Sequence, residues 1–425
     1  MYKGFFSMQK IIVQGKNKLS GKVNISPAKN ACLPIIASII AMSGSVLLLN
    51  APLIEDVTVM AKVIEQLGGK YEYNKNGLLL NTNNVNLFEI NSDISKKARA
   101  SFFIVGALIV RFRKAIVTLP GGCNIGLRPV DIHIDVMKQL GVSSTIEDNK
   151  VVFNGQEAKS GKVVLSYPSV GASVNAICLT AFLEGESTLI NVAKEPEIVD
   201  LCNFLIKCGC KIKGVGSSCL TIVGINPLKN INLEYQPIKD RIEAGTYMCM
   251  SAITGGDLCF EFDDFNHIRS ITDKLIECGV RIEKKKNEIY LYSDGHINTF
   301  SLVADVYPSF PTDMQSVFIA FATKAHGYSV IADRVFNDRF SLCNELVKMG
   351  AEVINKRGTA VIKGGKKLSG THVDAIDLRS GAALICAALN TDGETVIENS
   401  KIIYRGYENI VEKLTSLGAE ITAEF

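Results

Sequence analysis

Two kinds of residue in this chain could do chemistry: a cysteine in a glycine-rich loop, and cations where apolar helices are predicted to begin. Cys123 stands in the motif PGGCNIG, whose proline and glycines predict an exposed loop. Arg113, Lys114 and Arg128 lie near it in sequence and would lower the pKa of its thiol, the condition for a reactive cysteine. The motif fits an inert surface cysteine equally well. His133 follows ten residues later in a predicted helix, where a lone histidine indicates a structural role.

The cations occur at predicted helix starts, within the motifs SPAKN, KKARAS, KDRIEAG and DLRSG. The serine, threonine and aspartate residues at such starts, including Ser169, Thr312 and Asp377, are explained as N-caps. Lysine and arginine are not, because a cation at the positive end of a helix is unfavourable unless an anion binds there. If two domains of such helices face each other, the pattern predicts a cleft for a multiply anionic small molecule, with phosphate the leading candidate.

An internal repeat must position these residues. An amphipathic helix that ends in glycine, followed by a short strand, recurs about every 70 residues. A second, more apolar helix precedes a strand in each copy, so each unit is predicted to run strand, helix, strand, helix, strand, strand. The fold class is therefore α/β, with six repeats. The repeated glycines are Gly68, Gly141, Gly209, Gly279, Gly350 and Gly418.

The two ends of the chain predict the domain boundaries. Several repeats close with a strand pair, yet the chain ends at ITAEF without one, and the segment KIIVQGKNKLSGKVNIS at the start has the missing pattern. We expect residues 1–26 to join 239–425 in a domain of repeats four to six, while 27–238 forms repeats one to three. A separate N-terminal arm is the alternative. The crossovers near residues 20–28 and 230–240 would form the hinge.

Composition excludes several classes of protein. A net charge of +3 lacks the basic excess of a nucleic-acid binder. Most of the 12 cysteines lie in apolar stretches and are expected to be reduced core residues, and Cys208 and Cys210 have no second pair at zinc spacing. The start of the chain lacks the features of a signal peptide, and the apolar run 33–49 is expected to form helix, turn and strand. A cytoplasmic protein without a membrane segment or metal follows.

Several long motifs resemble the enolpyruvyl transferase family, on the branch whose acceptor is UDP-N-acetylglucosamine. The resemblance covers nearly the whole chain and implies the family's fold, an inside-out α/β barrel of six repeats in two domains, in agreement with the repeat spacing. The motifs are KNACLPI, PGGCNIGLRPVD, EPEIVD, DRIEAGT, FPTDMQ, FNDRF, DLRSG and RGYE.

The resemblance implies transfer of the enolpyruvyl group of phosphoenolpyruvate to the 3′-hydroxyl of UDP-N-acetylglucosamine, with release of phosphate. The reaction proceeds by addition and elimination, and it is the first committed step of peptidoglycan precursor synthesis, which links it to cell wall biogenesis, cell shape and division. The resemblance implies no cofactor, because the cationic side chains replace a metal. It also implies covalent inhibition by fosfomycin at Cys123, and a monomer is expected.

Site residues are carried over motif by motif. Cys123 resembles the loop cysteine that acts as general acid or assists product release. Asp313 resembles the base near the acceptor hydroxyl, and Lys29 a third catalytic residue. The residues implied to bind phosphoenolpyruvate are Lys29, Asn30, Arg128, Arg339, Arg379 and Arg405, with Arg339 and Arg379 at its carboxylate. Those implied to bind UDP-N-acetylglucosamine are Arg99, Arg128, Pro129, Val130, Asp131, Ile132, Ser169, Val170, Gly171, Asp313 and Val335.

One position departs from the family pattern, and a few acidic and basic residues have a different expected role. Tyr167 stands where some members have lysine, which puts one diphosphate contact in doubt. Asp240, Arg241, Glu195 and Asp377 are expected first as hinge and supporting ion pairs, and only second as catalytic groups.

Three other functions remain open from the sequence. 5-Enolpyruvylshikimate-3-phosphate synthase shares the repeat and the cations, but the Cys123 loop and the SVGAS segment favour the nucleotide sugar. A paralogue that binds nucleotide sugar without turnover would not need both the thiol and Asp313. RNA-terminal phosphate cyclases use related repeats, but the charge and the lack of a nucleotide-binding P-loop are against them.

Overall fold

The computed structural model describes residues 9–90, 99–119 and 130–424. Two strands open the described chain, β1 (Lys10–Gln14) and β2 (Gly21–Lys22). They belong to different sheets, and neither pairs with residues of the first three repeats: β1 lies antiparallel between two strands of the last repeat, and β2 pairs parallel with a strand of the fourth.

Repeats one to three each place an apolar helix before a strand and a second helix before an antiparallel pair. The first contains α1 (Lys29–Ile39), β3 (Gly44–Leu49), α2 (Glu55–Gln66), β4 (Lys70–Asn74) and β5 (Gly77–Asn81). The second contains a 3₁₀ turn (Arg99–Ile104), α3 (Val105–Phe112), β6 (Lys114–Thr118), α4 (Asp131–Gln139), β7 (Ser143–Glu147) and β8 (Lys150–Asn154). The third contains β9 (Lys162–Val164), α5 (Val170–Thr180), β10 (Glu186–Ile190), α6 (Pro196–Lys207), β11 (Lys211–Lys213) and β12 (Cys219–Val223), and β13 (Ile231–Tyr235) follows.

Repeats four to six have the same order of elements. The fourth contains α7 (Arg241–Ile253), β14 (Asp257–Glu261), a 3₁₀ turn (Phe265–Ile268), α8 (Arg269–Glu277), β15 (Arg281–Lys285) and β16 (Glu288–Tyr292). The fifth contains β17 (Ser301–Ala304), a 3₁₀ turn (Thr312–Met314), α9 (Gln315–Ala322), β18 (Gly327–Asp333), α10 (Leu342–Lys348), β19 (Glu352–Lys356) and β20 (Thr359–Gly364). The sixth contains β21 (His372–Asp374), α11 (Leu378–Ala388), β22 (Glu394–Glu398), a 3₁₀ turn (Ser400–Arg405), α12 (Ile410–Ser416) and β23 (Glu420–Glu424).

Each repeat has its own small sheet with one recurring topology. In the third, fifth and sixth repeats the strand before the apolar helix pairs parallel with the strand after it, and the last two strands add antiparallel, as in the order β17-β18-β20-β19. The α/β class is thereby confirmed. The predicted order of strand, helix, strand, helix, strand, strand is present in the third and fifth repeats, whereas the sheet of the second repeat has three strands in the described residues, with Glu89 forming an isolated parallel bridge to Ile116.

The closing strand pairs differ from the prediction in one respect. Their two strands do not share a sheet: the first is the last strand along the chain in the sheet of its own repeat, and the second belongs to the sheet of another repeat. Thus β8 pairs with β6 and β7, whereas β9 pairs with β10. The physical reason is that the second strand precedes the next apolar helix and needs the parallel neighbour that follows it. β13 returns in the same way to pair with β3, and β2 with β14.

The described residues divide into two compact units, each with its own hydrophobic core. The early-repeat unit contains residues 27–90, 99–119 and 130–238, and the late-repeat unit contains residues 9–26 and 239–424. The sheets of each unit surround its apolar helices. All 8 residues of α9 are buried, because a helix that is apolar on every side must lie inside. All 13 residues of α7 are buried as well, including the charged residues Arg241 and Glu243 at its start.

The second helix of each repeat ends at the glycine predicted from the sequence. All six repeated glycines have a positive φ, between 82° at Gly141 and 103° at Gly68, the left-handed conformation that glycine adopts without steric cost. Among the described residues, no helix is long and apolar enough to cross a membrane.

Candidate active site

Asp313 lies between two buried arginines in the late-repeat unit. Its Oδ1 is 2.9 Å from Nη1 of Arg339, and its Oδ2 is 2.8 Å from Nη2 of Arg379. The arginine side chains are 6% and 2% exposed, whereas that of Asp313 is 23% exposed. Three residues that the sequence implied for one reaction are therefore in direct contact, with the carboxylate as the accessible member.

Helix α11 fixes the position of Arg379. The carboxylate of Asp377 accepts hydrogen bonds from the backbone N–H of Arg379 at 2.8 Å and of Ser380 at 3.0 Å, which completes a capping box. The guanidinium carbon lies 5.3 Å from the ring centroid of Tyr407, and the hydroxyl of Tyr407 is 2.9 Å from that of Thr246. Burial alone would lower the pKa of Arg379, but the charge and hydrogen bond of Asp313, together with Tyr407 and Asp240, outweigh burial and raise that pKa. The result is a permanent cation in a fixed orientation.

The two arginines each keep one buried donor available. Within the described part of the chain, Nε of Arg339 and Nη1 of Arg379 have no hydrogen-bond partner. Leaving a buried charged donor unsatisfied costs roughly 1–3 kcal/mol, so such atoms indicate a ligand. A carboxylate suits them, because its two oxygens match the planar donors of a guanidinium.

Thr312 was predicted as an N-cap, and this was wrong. The N-cap position of the turn Thr312–Met314 is occupied by Pro311, and no side chain caps that turn. The hydroxyl of Thr312 instead donates to Oδ2 of Asp333 at 2.6 Å and accepts from Nη1 of Arg339 at 3.1 Å. Threonine already lies inside the turn, so its side chain points to a neighbouring strand end rather than back to its own backbone.

Lys29 is the first residue of α1 in the early-repeat unit. Its Nζ lies 3.2 Å from Oδ2 of Asp56 in α2, and both side chains are about nine-tenths buried. Asn30 is the next residue of α1. The cation at this helix start therefore has an anionic neighbour within the protein, which holds the ammonium in place.

The two segments implied for the acceptor meet in the early-repeat unit. Ser169 caps α5, with its hydroxyl accepting from the N–H of Ala172 at 3.4 Å, and Val170 and Gly171 follow. A Cβ on Gly171 would lie 2.7 Å from Cε1 of His133 in α4. The starts of α4 and α5 thus adjoin, and the absence of a side chain at Gly171 permits it.

Helix α4 begins with three of the implied acceptor residues. Val130 is at the N-cap position, and Asp131 and Ile132 are the first two helical residues. The neighbouring His133 has a structural partner, as expected: its Nδ1 is 2.9 Å from the amide nitrogen of Asn175, which also donates to the carbonyl of Phe102 at 3.0 Å. The amide must donate to the ring, so His133 carries its proton on Nε2.

The remaining implied residues lie at element ends. Arg99 begins the turn Arg99–Ile104, Arg405 ends the turn Ser400–Arg405, and Val335 follows β18. Cys123, Arg128 and Pro129 fall outside the described residues.

The residues that were expected as hinge and supporting ion pairs lie at helix starts in the structure. Asp240 caps α7, accepting from the N–H groups of Ile242 at 2.8 Å and Glu243 at 3.1 Å. Asp377 caps α11 in the same way. The guanidinium carbon of Arg241 lies 5.7 Å from the ring centroid of Tyr307. Glu195 occupies the N-cap position of α6, without a side-chain cap bond. In the described residues, no group of three or more metal-ligating side chains is present.

Sequence reasoning missed Asp56, Asp333 and Tyr407 as neighbours of the implied residues. Asp56 stands in a helix start where an acidic residue has a sufficient explanation in the helix dipole. Asp333 could have been recognised from its position, because it is the last residue of an apolar strand. A carboxylate at the end of a buried strand has to be paired or hydrogen-bonded.

Comparison with known proteins assigns the family. The family model described as EPSP synthase (3-phosphoshikimate 1-carboxyvinyltransferase) matches residues 13–414. A protein of Rickettsia felis named UDP-N-acetylglucosamine 1-carboxyvinyltransferase is 40% identical over 419 residues, which cover 97% of this chain and 99% of the relative. A protein of Halothermothrix orenii with the same name is 38% identical over 414 residues, again with 97% and 99% covered.

Solved structures show the same fold. The enolpyruvyl transferase NikO from Streptomyces tendae superposes with a TM-score of 0.88 at 23% identity, covering 98% of this chain and 99% of that one. EPSP synthase from Acinetobacter baumannii superposes with a TM-score of 0.72 at 16% identity, covering 97% and 100%. The predicted inside-out arrangement of six repeats is thereby confirmed.

Proposed function

The chain belongs to the EPSP synthase family of enolpyruvyl transferases, and on that premise we propose that it transfers the enolpyruvyl group of phosphoenolpyruvate to UDP-N-acetylglucosamine. The acceptor is the 3′-hydroxyl, and inorganic phosphate is released. The reaction contributes to peptidoglycan precursor synthesis. The names of relatives that match this chain over 97% of its length support the nucleotide-sugar acceptor.

The observation that carries the proposal is the carboxylate of Asp313 held between two buried arginines. The acceptor hydroxyl must lose a proton as its oxygen bonds to the C2 carbon of phosphoenolpyruvate, while the C3 methylene gains one. Asp313 is the base that takes the hydroxyl proton, because its side chain is more exposed than those of Arg339 and Arg379, with which it is in contact. Elimination then breaks the C2–O bond to phosphate and removes a proton from C3.

The arginines hold the carboxylate of phosphoenolpyruvate. Arg339 and Arg379 contribute the buried donor nitrogens Nε and Nη1, which lack hydrogen-bond partners among the described residues, and their buried side chains hold the guanidinium groups in a fixed orientation. Lys29, Arg128 and Arg405 bind the phosphate, and Asn30 adjoins it. In this division the planar guanidinium groups bind the planar carboxylate, and the other cations surround the phosphate that leaves.

The acceptor is bound through helix starts. The N–H groups at the beginning of α5, at Ser169, Val170 and Gly171, bind the diphosphate, which the positive end of an 11-residue helix favours. The run Arg128 to Ile132 contacts the uridine, Arg99 contributes a further cation, and Val335 lies beside the sugar.

The test is phosphate release from phosphoenolpyruvate with UDP-N-acetylglucosamine in one reaction and shikimate 3-phosphate in another. We expect release only with the nucleotide sugar. Release only with shikimate 3-phosphate would replace the proposed acceptor. Binding of the nucleotide sugar without release in either reaction would point to a paralogue without turnover.

Cys123 is the general acid, and fosfomycin alkylates it. We expect Cys123→Ser to abolish time-dependent inactivation by fosfomycin. The matched control is Cys219→Ser, which removes the one exposed cysteine of the described residues and should leave inactivation unchanged. Burial raises the pKa of Cys202, Cys208 and Cys210 to about 12, so these thiols are poor competitors. Inactivation that persists in Cys123→Ser would show that another nucleophile reacts.

A further inference from the structure

Asp333 is a buried acidic residue to which neither the sequence nor the proposed reaction gives a role. It ends β18 and is 2% exposed. Its carboxylate accepts three hydrogen bonds: Oδ2 from the hydroxyl of Thr312 at 2.6 Å, and Oδ1 from the N–H of Val335 at 2.8 Å and of Phe336 at 2.9 Å. The three donors lie on two segments that the proposed function uses.

The bond to Thr312 sets the direction of that hydroxyl. A hydroxyl has one hydrogen, and Thr312 gives it to Asp333, so only its lone pairs can face Nη1 of Arg339, 3.1 Å away. Nη1 of Arg339 consequently faces two acceptors, the hydroxyl of Thr312 and the carboxylate of Asp313. If the hydroxyl turned round, two donors would face each other, and Arg339 would move away from the position that it shares with Asp313.

The bonds to the backbone hold a different segment. Oδ1 fixes the N–H groups of Val335 and Phe336, the turn in which Val335 is proposed to lie beside the acceptor sugar. The pKa of Asp333 is raised by burial, although the bonds from Thr312, Phe336 and Val335 act in the opposite direction. A buried carboxylate is costly unless it is hydrogen-bonded, so removing any of these three donors would disturb the position of Asp333.

We propose that Asp333 is a positioning residue that orients Arg339 through the hydroxyl of Thr312 and, through its other oxygen, fixes the turn that contacts the acceptor. This inference rests on the proposed function, because it assigns Arg339 to phosphoenolpyruvate and Val335 to the sugar. Asp333 touches neither substrate. Oδ2 acts through Thr312 on the site of phosphoenolpyruvate, and Oδ1 acts through the turn at Val335 on the site of the acceptor. Substitutions that affect one of these oxygens alone therefore separate the two roles.

The test is a double-mutant cycle on Asp333→Asn and Thr312→Val, measured as kcat/KM for each substrate. In Asp333→Asn the side-chain amide keeps an oxygen for the two backbone donors, but its nitrogen cannot accept from Thr312. Each single variant is expected to lower kcat/KM for phosphoenolpyruvate about tenfold, the loss typical of one bond in a chain to a charged group. The double variant should also lose about tenfold rather than about a hundredfold, because both changes interrupt the same connection.

Two further variants distinguish positioning from general damage. Thr312→Ser retains the hydroxyl and should recover most of the loss seen in Thr312→Val, whereas Asp333→Ala should also lower kcat/KM for UDP-N-acetylglucosamine about tenfold. Asp338→Asn is the matched control, since Asp338 is exposed in the same loop, and it should behave as the wild type. Thermal unfolding of every variant shows whether it folds.

Three results would overturn the inference. Multiplying effects in the double variant would mean that Asp333 and Thr312 act independently. A lowered melting temperature with unchanged kcat/KM for phosphoenolpyruvate would make Asp333 a structural residue only. A wild type that releases no phosphate with UDP-N-acetylglucosamine would instead overturn the proposed function, and this inference with it, so the two failures are distinguishable.

Discussion

The two units place functional groups at the same point of the repeat, the start of a buried helix, but they use different groups there. In the late-repeat unit the groups are charged side chains in contact, with Asp313 held by Arg339 and Arg379. In the early-repeat unit, the start of α5 offers backbone N–H groups around Gly171, which has no side chain. One repeat therefore supplies two kinds of anion site: fixed ions for a small carboxylate, and a helix end for a diphosphate.

A buried acid next to each crossover of the chain shows a related contrast. In the late-repeat unit, Glu243 pairs with Nζ of Lys413 at 2.7 Å and accepts from the N–H of Ser26 at 2.7 Å. In the early-repeat unit, Asp200 has no lysine in that role: it accepts from the hydroxyl of Tyr235 at 2.6 Å and from the N–H of Ile238 at 3.2 Å. Burial raises the pKa of both acids; a cation, Lys413, opposes this at Glu243, whereas neutral hydrogen-bond donors, Tyr235 and Ile238, oppose it at Asp200.

The largest effect should come from removing the shared carboxylate. Asp313→Asn removes the base and leaves two buried guanidinium groups without their anion, so we expect kcat for phosphate release to fall about 10²–10⁴-fold. Steady-state phosphate release checks this. Retention of more than a tenth of the activity would contradict the role of the late-repeat unit in this comparison, because Asp313 and its two arginines would then not be needed for the reaction.

Arg379→Lys tests whether geometry matters beyond charge. Lysine keeps the positive charge but cannot present two coplanar donors, and its ammonium does not stack on Tyr407 in the same way. We expect kcat/KM for phosphoenolpyruvate to fall about a hundredfold, as for truncation of one partner of a buried charge pair. The affinity for UDP-N-acetylglucosamine, measured by calorimetry, should change less than threefold. An equal loss of affinity for both substrates would contradict the division of labour.

Gly171→Ala tests the other half of the comparison. The added methyl group would lie 2.7 Å from the ring of His133 and 3.0 Å from that of Phe103, so these rings must shift and the contact between α4 and α5 is disturbed. We expect about a tenfold weaker affinity for UDP-N-acetylglucosamine and a loss of about 1–3 kcal/mol in the free energy of unfolding. Gly161→Ala is the matched control, because a Cβ there meets no atom within 4 Å, and its stability should stay within about 0.5 kcal/mol.

The smallest effect concerns Asp200 and pH. Burial raises its pKa from 3.8 to about 6, against the hydrogen bonds from Tyr235 and Ile238. The folded state therefore keeps a proton on this group between pH 5 and 6, where the unfolded chain has already lost it, and stability falls as pH rises through 6. This group should cost about 1 kcal/mol between pH 5 and pH 7. Denaturant titrations at the two pH values check this: Asp200→Asn should flatten the difference, and an unchanged difference in that variant would contradict the assignment.

Local patterns made much of the fold predictable. The repeated glycines end helices with positive φ because no other residue adopts that conformation as readily, and the apolar helices are buried on every side. The sharing of strands between sheets was missed, because pairing partners of β9 or β13 depend on contacts distant in sequence. That Asp313, Arg339 and Arg379 serve one site could be predicted only from the family resemblance, because Asp313 and Arg379 are 66 positions apart and no local pattern connects them. Thr312 was misjudged because N-cap preference describes a helix start in isolation.

The central claim is that the carboxylate of phosphoenolpyruvate depends on the fixed ions of the late-repeat unit, and the diphosphate of UDP-N-acetylglucosamine on the helix start of the early-repeat unit. The direct test is kcat/KM for each substrate in the wild type, Arg379→Lys, Gly171→Ala and the double variant. We predict that Arg379→Lys affects phosphoenolpyruvate, that Gly171→Ala affects UDP-N-acetylglucosamine, and that the double variant shows both losses with their single-variant sizes. If either single variant lowered kcat/KM for both substrates by the same factor, the claim would be wrong.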